Sequence, residues 1–186
     1  MIIKDREVFA MIQNEVLSAI AARRSCRAYK PEQIKPEELQ AVLEAGTWAP
    51  TGMNRQSPVI VVVQDKATRD RLSAMNAAIM GTDKDPFYGA PTVLVVLADR
   101  NVHTHVEDGS LVMGDLLLAA SSIGLGSCWI HRAKEMFESE EGKALLRKWG
   151  LDPEKYVGVG NCILGYPAPG GTKPAAPRKA DYVVKV

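Results

Sequence analysis

No apolar run in the chain approaches the roughly 20 residues needed to cross a bilayer, so a membrane-spanning helix is not expected. Charge of one sign is missing too. The 23 basic and 22 acidic residues leave a net charge of +1, whereas a nucleic-acid binder shows a clear basic excess gathered on one face. Cysteine is sparse: Cys26, Cys128 and Cys162 are odd in number, far apart and without CxxC spacing, a pattern of free thiols in a reducing compartment. The opening Met1-Ile2-Ile3-Lys4-Asp5-Arg6-Glu7 is charged early and holds no signal-type apolar region, which adds to the expectation of a cytoplasmic protein. There is no GxSxG elbow, no phosphate-binding GxxxxGK[ST] loop and no HExxH. Gly124-x-Gly126 follows a helical pattern and lacks a third glycine, so it is not a dinucleotide fingerprint.

What is present reads as one domain over residues 1–186, with an ordinary 46% of apolar residues to form its core. From about Arg6 to Ala22, Phe9, Ile12, Val16 and Ile20 recur at spacings of three and four, which predicts an amphipathic helix with one buried stripe. Pro36 with Glu37 and Glu38 behind it suits a helix start, and Leu39, Val42 and Leu43 give that helix an inner face. The β-branched run Val59-Ile60-Val61-Val62-Val63 predicts a strand covered on both faces, as does Val93-Leu94-Val95-Val96-Leu97. A charged helix carrying Leu72 and Met75 lies between them. Residues Asp108 to Ile123 are apolar on most faces, which predicts a helix buried in the protein or against a partner, stopped by Gly124. A further helix is expected near Lys134 to Trp149, then a strand over Val157 to Leu164 whose glycines admit a close neighbour. The tail from Gly170 to Lys179 is too rich in Pro and Gly for regular structure, and Tyr182 to Val186 is strand-like. Interleaved helices and buried strands make an α/β or α+β sheet covered by helices.

Arg23-Arg24-Ser25-Cys26-Arg27 sits where the first helix runs out. Its three guanidiniums and one hydroxyl form a compact anion site, although a basic run there also complements the negative end of the helix macrodipole. His103-x-His105 falls short of a tetrahedral metal set, with no Cys or third His nearby, so no metal site is expected. Cys128, beside Trp129 and near His131, has the neighbours of a Cys–His nucleophile, but a cysteine ending a buried helix is mostly a small apolar filler. The basic cluster, the polar Asn-x-Gln loop, the Gly-rich turn and a second basic pair at Arg178-Lys179 together suit a ligand with a phosphate at one end and a flat polar ring at the other. A flavin mononucleotide has that shape.

Four segments, in order, carry a resemblance: Arg23-Arg24-Ser25-Cys26-Arg27, Ala49-Pro50-Thr51-Gly52-Met53-Asn54-Arg55-Gln56, Gly124-Leu125-Gly126-Ser127-Cys128-Trp129-Ile130 and Leu164-Gly165-Tyr166-Pro167. The chain resembles the FMN-dependent nitroreductase family over nearly its whole length. The resemblance implies an α+β subunit with a mixed, mainly antiparallel central sheet covered by helices. It further implies a homodimer with two FMN sites in the interface and the C-terminal strand exchanged between subunits. The implied activity is ping-pong hydride transfer from NADH or NADPH, through FMN, to nitroaromatic, quinone or similar small-molecule acceptors, with no side chain required as acid or base.

By the same resemblance, Arg23 and Ser25, with Arg24 adjacent, hold the phosphate and ribityl end, and Arg27 reaches the pyrimidine edge. A cation there would stabilise the charge of reduced flavin. Pro50, Thr51, Gly52 and Asn54 correspond to a segment that the other subunit lays against the flavin. Asn76 corresponds to an asparagine that hydrogen-bonds the ring, and Trp129, Ile130 and His131 to a segment passing the ring. Arg178, or Lys179, would add a second phosphate clamp. Two departures bear on acceptor choice: Gln56 is followed by Ser57-Pro58 where many relatives have Pro-Trp, and His131-Arg132 replaces an acidic residue and a glycine. The alternative function is a flavin-binding carrier or sensor without turnover.

Overall fold

The computed structural model describes residues 12–186. In chain order the elements are α1 (Glu15–Ala22), α2 (Pro36–Thr47), β1 (Pro58–Val63), α3 (Lys66–Met80), β2 (Thr92–Asp99), α4 (His105–Ser122), β3 (Gly126–Ile130), α5 (Ala133–Glu138), α6 (Glu140–Lys148) and β4 (Tyr156–Gly165). The strands form one antiparallel sheet in the order β1-β2-β4-β3, and a parallel bridge between Ser25 and Ser127 extends it beyond β3. The fold is α+β.

Strand alternation splits the core into two layers. Along β2, Val93, Val95 and Leu97 point to one face, where Leu72 and Met75 of α3, Met136 and Phe137 of α5, and Leu145 and Leu146 of α6 cover them. Leu94 and Val96 point to the other, against Val42 of α2 and Val112, Met113, Leu116 and Ala120 of α4. From Val93 to Ala98 every residue of β2 is 0% exposed, which is why this stretch reads as an unbroken apolar run.

Gly158 lets β4 meet α5 closely: a Cβ there would lie 2.3 Å from the carbonyl carbon and oxygen of Ala133. The register of β2 against β4 slips between Val96 and Leu97, opposite Gly160 and Gly158, so Val159 is the extra residue of a bulge.

Several expectations are corrected. β1 is an edge strand with only β2 beside it, so its run is half-covered, and Val62 keeps 39% of its surface exposed. The first helix begins only after Asn14, whose side chain accepts from the Leu17 N–H at 2.8 Å, and none of its residues is buried. Its expected portion before residue 12, with Phe9, lies outside the described residues. The helix expected over Lys134 to Trp149 is two, because Ser139 is extended and caps the second by accepting from the Gly142 N–H at 3.0 Å. Gly126 to Ile130 is a strand as well as the exit from a turn. Residues 182–186 form no strand within their own chain.

Gly158→Ala is expected to cost at least about 2 kcal/mol of stability, since the clash is with backbone that cannot rotate away. Chemical denaturation of the variant beside the parent measures it.

Candidate functional site

Arg23 leaves α1 in an extended conformation (φ −53°, ψ 132°), and the chain then runs alongside β3. Cys26 N–H donates to the Ser127 carbonyl at 2.9 Å, Arg27 N–H to Gly171 at 2.7 Å and Lys30 N–H to Tyr166 at 2.9 Å, while Ala168 N–H donates back to Ala28 at 3.0 Å. The first, third and fourth motifs of the sequence are thereby laced into one sheet edge. Within the cluster the side chains separate. Cys26 is fully buried, and Ser25 and Arg27 flank it with more exposure. Arg24 turns back instead, its Nη1 donating to the carbonyls of Ala21 at 2.8 Å and Arg23 at 2.6 Å, so it caps the C-terminus of α1.

A cavity of about 310 Å³ opens beside β3. Arg27, Trp129 and His131 line it together with Lys84, Tyr88 and Arg132, and Ile130 and Cys128 also reach it. Two buried asparagines hold the strand's exit. Asn76, 0% exposed, donates to the His131 carbonyl at 2.8 Å and accepts from Arg132 Nε at 3.0 Å; Asn161 donates to the Ile130 carbonyl at 3.5 Å. Asn76 therefore has protein partners on both polar atoms, and in this chain it braces the wall of the cavity. The Tyr88 side of the cavity rests on Asp85, which accepts from the N–H groups of Phe87 at 2.8 Å and Gly89 at 2.7 Å and from Arg69 Nη2 at 2.6 Å. Partial burial works against its charge, but hydrogen bonds from Arg69, Ser73, Gly89 and Phe87 prevail and hold its carboxyl below the usual range.

Pro50, Thr51, Gly52 and Asn54 lie elsewhere. Their loop sits at the β1 edge, and a second cavity of about 360 Å³ there is lined by Thr51, Gln56, Ile60, Val62 and Val112. No residue lines both cavities. Edge strands β1 and β3 are separated by β2 and β4, about 14 Å at ordinary strand spacing. The loop is organised by Asp108 in the first turn of α4, 2% exposed, which accepts from the Gly52 N–H at 2.8 Å, Thr104 Oγ1 at 3.1 Å and Ser57 Oγ at 3.3 Å. Gln56 N–H donates to Thr51 Oγ1 at 3.0 Å, and Gln56 Nε2 to Asn54 Oδ1 at 3.1 Å.

Five non-glycine residues among those described have left-handed backbone: Met53 (φ 55°), Asn54 (54°), Gln56 (49°), Tyr88 (54°) and Arg132 (76°). Three belong to the loop and two line the β3 cavity. Among the described residues this strain falls only in the two candidate sites, the kind of place where such conformations cluster.

Arg178 and Lys179 lie in the exposed tail and are not brought to either cavity within their own chain; Lys179 stands 3.8 Å from Asp181. The other chemical candidates have apolar or local surroundings. Cys128 is 3% exposed within the core layer of α3, α5 and α6, and burial pushes the Cys162 thiol up to about 12. The His105 ring lies 2.8 Å from the Val102 carbonyl. Among the described residues no three His, Cys, Asp or Glu side chains gather in a metal-binding group.

Lys84, Tyr88 and Asp108 were not singled out for the site from the sequence. Lys84 and Tyr88 sit in a polar loop with no motif, and Asp108 looks like any first-turn acid until its burial is seen.

The nitroreductase family model matches residues 20–166. A solved structure of a nitroreductase with bound FMN from Bacteroides fragilis superposes with a TM-score of 0.85 at 31% identity, covering 94% of this chain and 100% of that one. A second, a nitroreductase with bound FMN from Desulfitobacterium hafniense, gives 0.83 at 29% identity, with 94% and 100% covered. The Bacillus subtilis protein named FMN reductase (NAD(P)H) is 27% identical over 190 residues, spanning 90% of this chain and 72% of the relative.

Asp108→Ala is expected to leave buried donors unmatched and to cost about 1–3 kcal/mol. Hydrogen exchange should show the loss at residues 51–57 before the rest of the chain; uniform destabilisation would instead mean that Asp108 does not organise the loop.

Proposed function

This chain belongs to the nitroreductase family, and from that membership we propose how its residues serve an FMN-dependent NAD(P)H oxidoreductase. The observation that carries the proposal is the cavity beside β3 lined by Arg27, Trp129, Ile130 and His131, with Ser25 bridged to the same strand at Ser127, next to Cys128 of that lining. These residues fit FMN by their chemistry: guanidiniums and a hydroxyl suit a phosphate, Trp129 and Ile130 offer an apolar wall to a flat ring, and no carboxylate lines the cavity. When bound, FMN supplies the redox chemistry, taking hydride from NADH or NADPH and passing it to an acceptor. Arg23 and Ser25 hold the phosphate and ribityl end. Arg27 sets a fixed positive charge beside the ring, where it offsets the negative charge gained on reduction. The β3 exit, braced by Asn76 and Asn161, keeps the wall in register without any side chain moving a proton.

The working enzyme is a homodimer in this reading. Support comes from the distance between the two edges: the loop of Pro50, Thr51, Gly52 and Asn54 can meet the β3 cavity only from a second copy. The apolar surface of one chain also asks for a partner. Val16, Leu17 and Ile20 of α1, Trp48 after α2 and Leu111 of α4 are between 46% and 80% exposed. Residues 182–186, rich in β-formers and with no sheet of their own, suit an exchanged strand, and Arg178 or Lys179 would arrive with it. The acceptors are nitroaromatics, quinones or similar electron-poor compounds, reduced in ping-pong order. Among the described residues no helix is long and apolar enough to cross a membrane; three buried, unpaired thiols suit a cytoplasmic setting.

The purified protein should show a flavin spectrum that NADH or NADPH bleaches under anaerobic conditions and an acceptor restores. A protein that stays colourless after incubation with FMN refutes the proposal, and one that binds FMN but is not bleached is a carrier. Arg23→Ala should weaken FMN binding by about 1.5–3 kcal/mol, roughly ten- to hundredfold in Kd by fluorescence titration. Unchanged affinity would remove Arg23 from the phosphate site.

A further inference from the structure

We propose that the β3 cavity selects an electron acceptor carrying an anionic group, with Arg132 and Lys84 as the residues that recognise it. The inference rests on the oxidoreductase reading above and names its substrate class: an aromatic or quinoid acceptor bearing a carboxylate or a comparable oxyanion.

Three separate stretches deliver cations to this cavity: Arg27 before α2, Lys84 between α3 and β2, and Arg132 after β3, with His131 beside the last. No aspartate or glutamate is among the residues that line it. Some cations elsewhere in the chain are paired with acids. Arg69, 8% exposed, meets both Asp70 and Asp85, and Lys66, Arg71, Lys143, Lys155 and Lys179 each have an acidic partner within 4 Å. Arg27, Lys84 and Arg132 have none among the described residues. Asp85, the acid at the foot of the adjoining loop, is already bound by Arg69, Ser73 and two backbone N–H groups. Like charges gathered in a concave site repel one another and raise the local concentration of anions.

The conformation of Arg132 shows how one of these cations is aimed. At φ 76° its backbone adopts the left-handed region that glycine enters freely and an arginine enters against its own Cβ. Buried Asn76 fixes the guanidinium through Nε, and Nη2 faces only the weak acceptor Met80 Sδ at 3.3 Å. Nη1 donates to no protein group among the described residues. The fork is therefore held at its stem, with donors left over at its tip. Tyr88, the other left-handed residue of the cavity, contributes an aromatic ring to the lining.

The FMN phosphate cannot be the anion that answers both groups. Ser25, next to Arg23 and Arg24 in the basic cluster, meets β3 at Ser127, whereas Arg132 lies beyond Ile130; three strand steps, about 10 Å, already separate Ser127 from Ile130. An anion at the first end leaves Arg132 and Lys84 unanswered.

The test uses FMN-loaded enzyme and matched pairs. Binding of benzoate and benzamide to the oxidised enzyme is followed by the perturbation of flavin absorbance, and KM is compared for 4-nitrobenzoate and 4-nitrobenzamide with NADH as donor. Benzoate should bind about tenfold tighter than benzamide, and KM should favour the nitrobenzoate similarly, the order of one charge-assisted contact. Arg132→Gly, which suits the backbone, and Lys84→Gln should each reduce the preference at least threefold, and the double variant should abolish it. Arg132→Lys should restore part of it. Lys66→Gln, an equal charge change at the far end of α3, should leave the ratio alone. A wild-type ratio near one, or a ratio that the variants do not move, overturns the inference. A change confined to the NADPH-to-NADH preference would assign the cations to a nucleotide phosphate and overturn it as well. Failure of the underlying reading looks different, because flavin is then not bound, or not reduced by either nucleotide, whatever the acceptor's charge.

Discussion

A sheet covered by helices on both faces has no free surface except its edges. In this chain β2 and β4 are buried above and below, so any group that must meet a ligand has to be carried by β1, by β3 or by the loops that leave them. That constraint explains why chemically distinctive residues separate into two sets. The basic cluster, the β3 exit and the loop around Tyr88 collect at one edge, and the polar loop of Thr51 to Ser57 collects at the other. Neither set is a complete site for a molecule with a phosphate, a sugar chain and a broad ring. In the homodimer proposed above a second subunit joins them, and the apolar residues of α1, Trp48 and the open β1 edge are the surfaces left to receive it.

Each half-site is built in the same way. Backbone conformations that ordinary side chains disfavour are held by a buried polar residue with several partners. Asp108 ties the left-handed turn at Met53, Asn54 and Gln56 to the start of α4, and Asn76 ties Arg132 to α3. Each anchor is a short side chain, fully or almost fully buried and satisfied by neutral or charged donors, so its position is fixed by packing on every side. Conformational strain of one to a few kcal/mol can persist when the surroundings determine it this strongly, and it keeps the ligand-facing groups in place before any ligand arrives. The price is that both surfaces depend on residues which never touch the ligand.

The sequence is informative wherever one physical signal dominates. The unbroken run from Val93 to Leu97 could only be an inner strand, and Pro36 followed by two glutamates could only open a helix. It is less informative where two signals compete. Val59 to Val63 carries the same β-branched run as β2, but edge position depends on strand order, which no local pattern encodes. Ser139-Glu140-Glu141 is a helix start inside an otherwise helical stretch, and the surrounding periodicity masks it. The strand of Gly126 to Ile130 begins with two small residues because Cys26 and Tyr29 pack over Gly126, a long-range fact. Of the residues that line the β3 cavity, Arg27 stood out in the basic cluster, and Trp129 to His131 through the family resemblance. Lys84 and Asp108 were not legible, because a lysine in a polar loop and an acid in a first turn have ordinary roles until burial and partners are known.

The cluster Arg23 to Arg27 shows why composition and function part company here. With a net charge of +1 the chain has no long-range field to draw anions. Selectivity therefore has to come from where individual cations are placed and from what else they are bonded to. Arg24 is removed from the site by capping α1, and Cys26 by burial beneath Gly126 and Gly171, so only two of three arginines remain to face a ligand. Arg69 is removed in turn by Asp70 and Asp85. Arg23 and Arg27 along one stretch and Lys84 with Arg132 farther on lack an acidic partner among the described residues, as other surface cations do, and three of these four line the β3 cavity. In a nearly neutral protein it is the gathering of three cations and no carboxylate along one cavity, rather than the total charge, that indicates where an anionic ligand is expected.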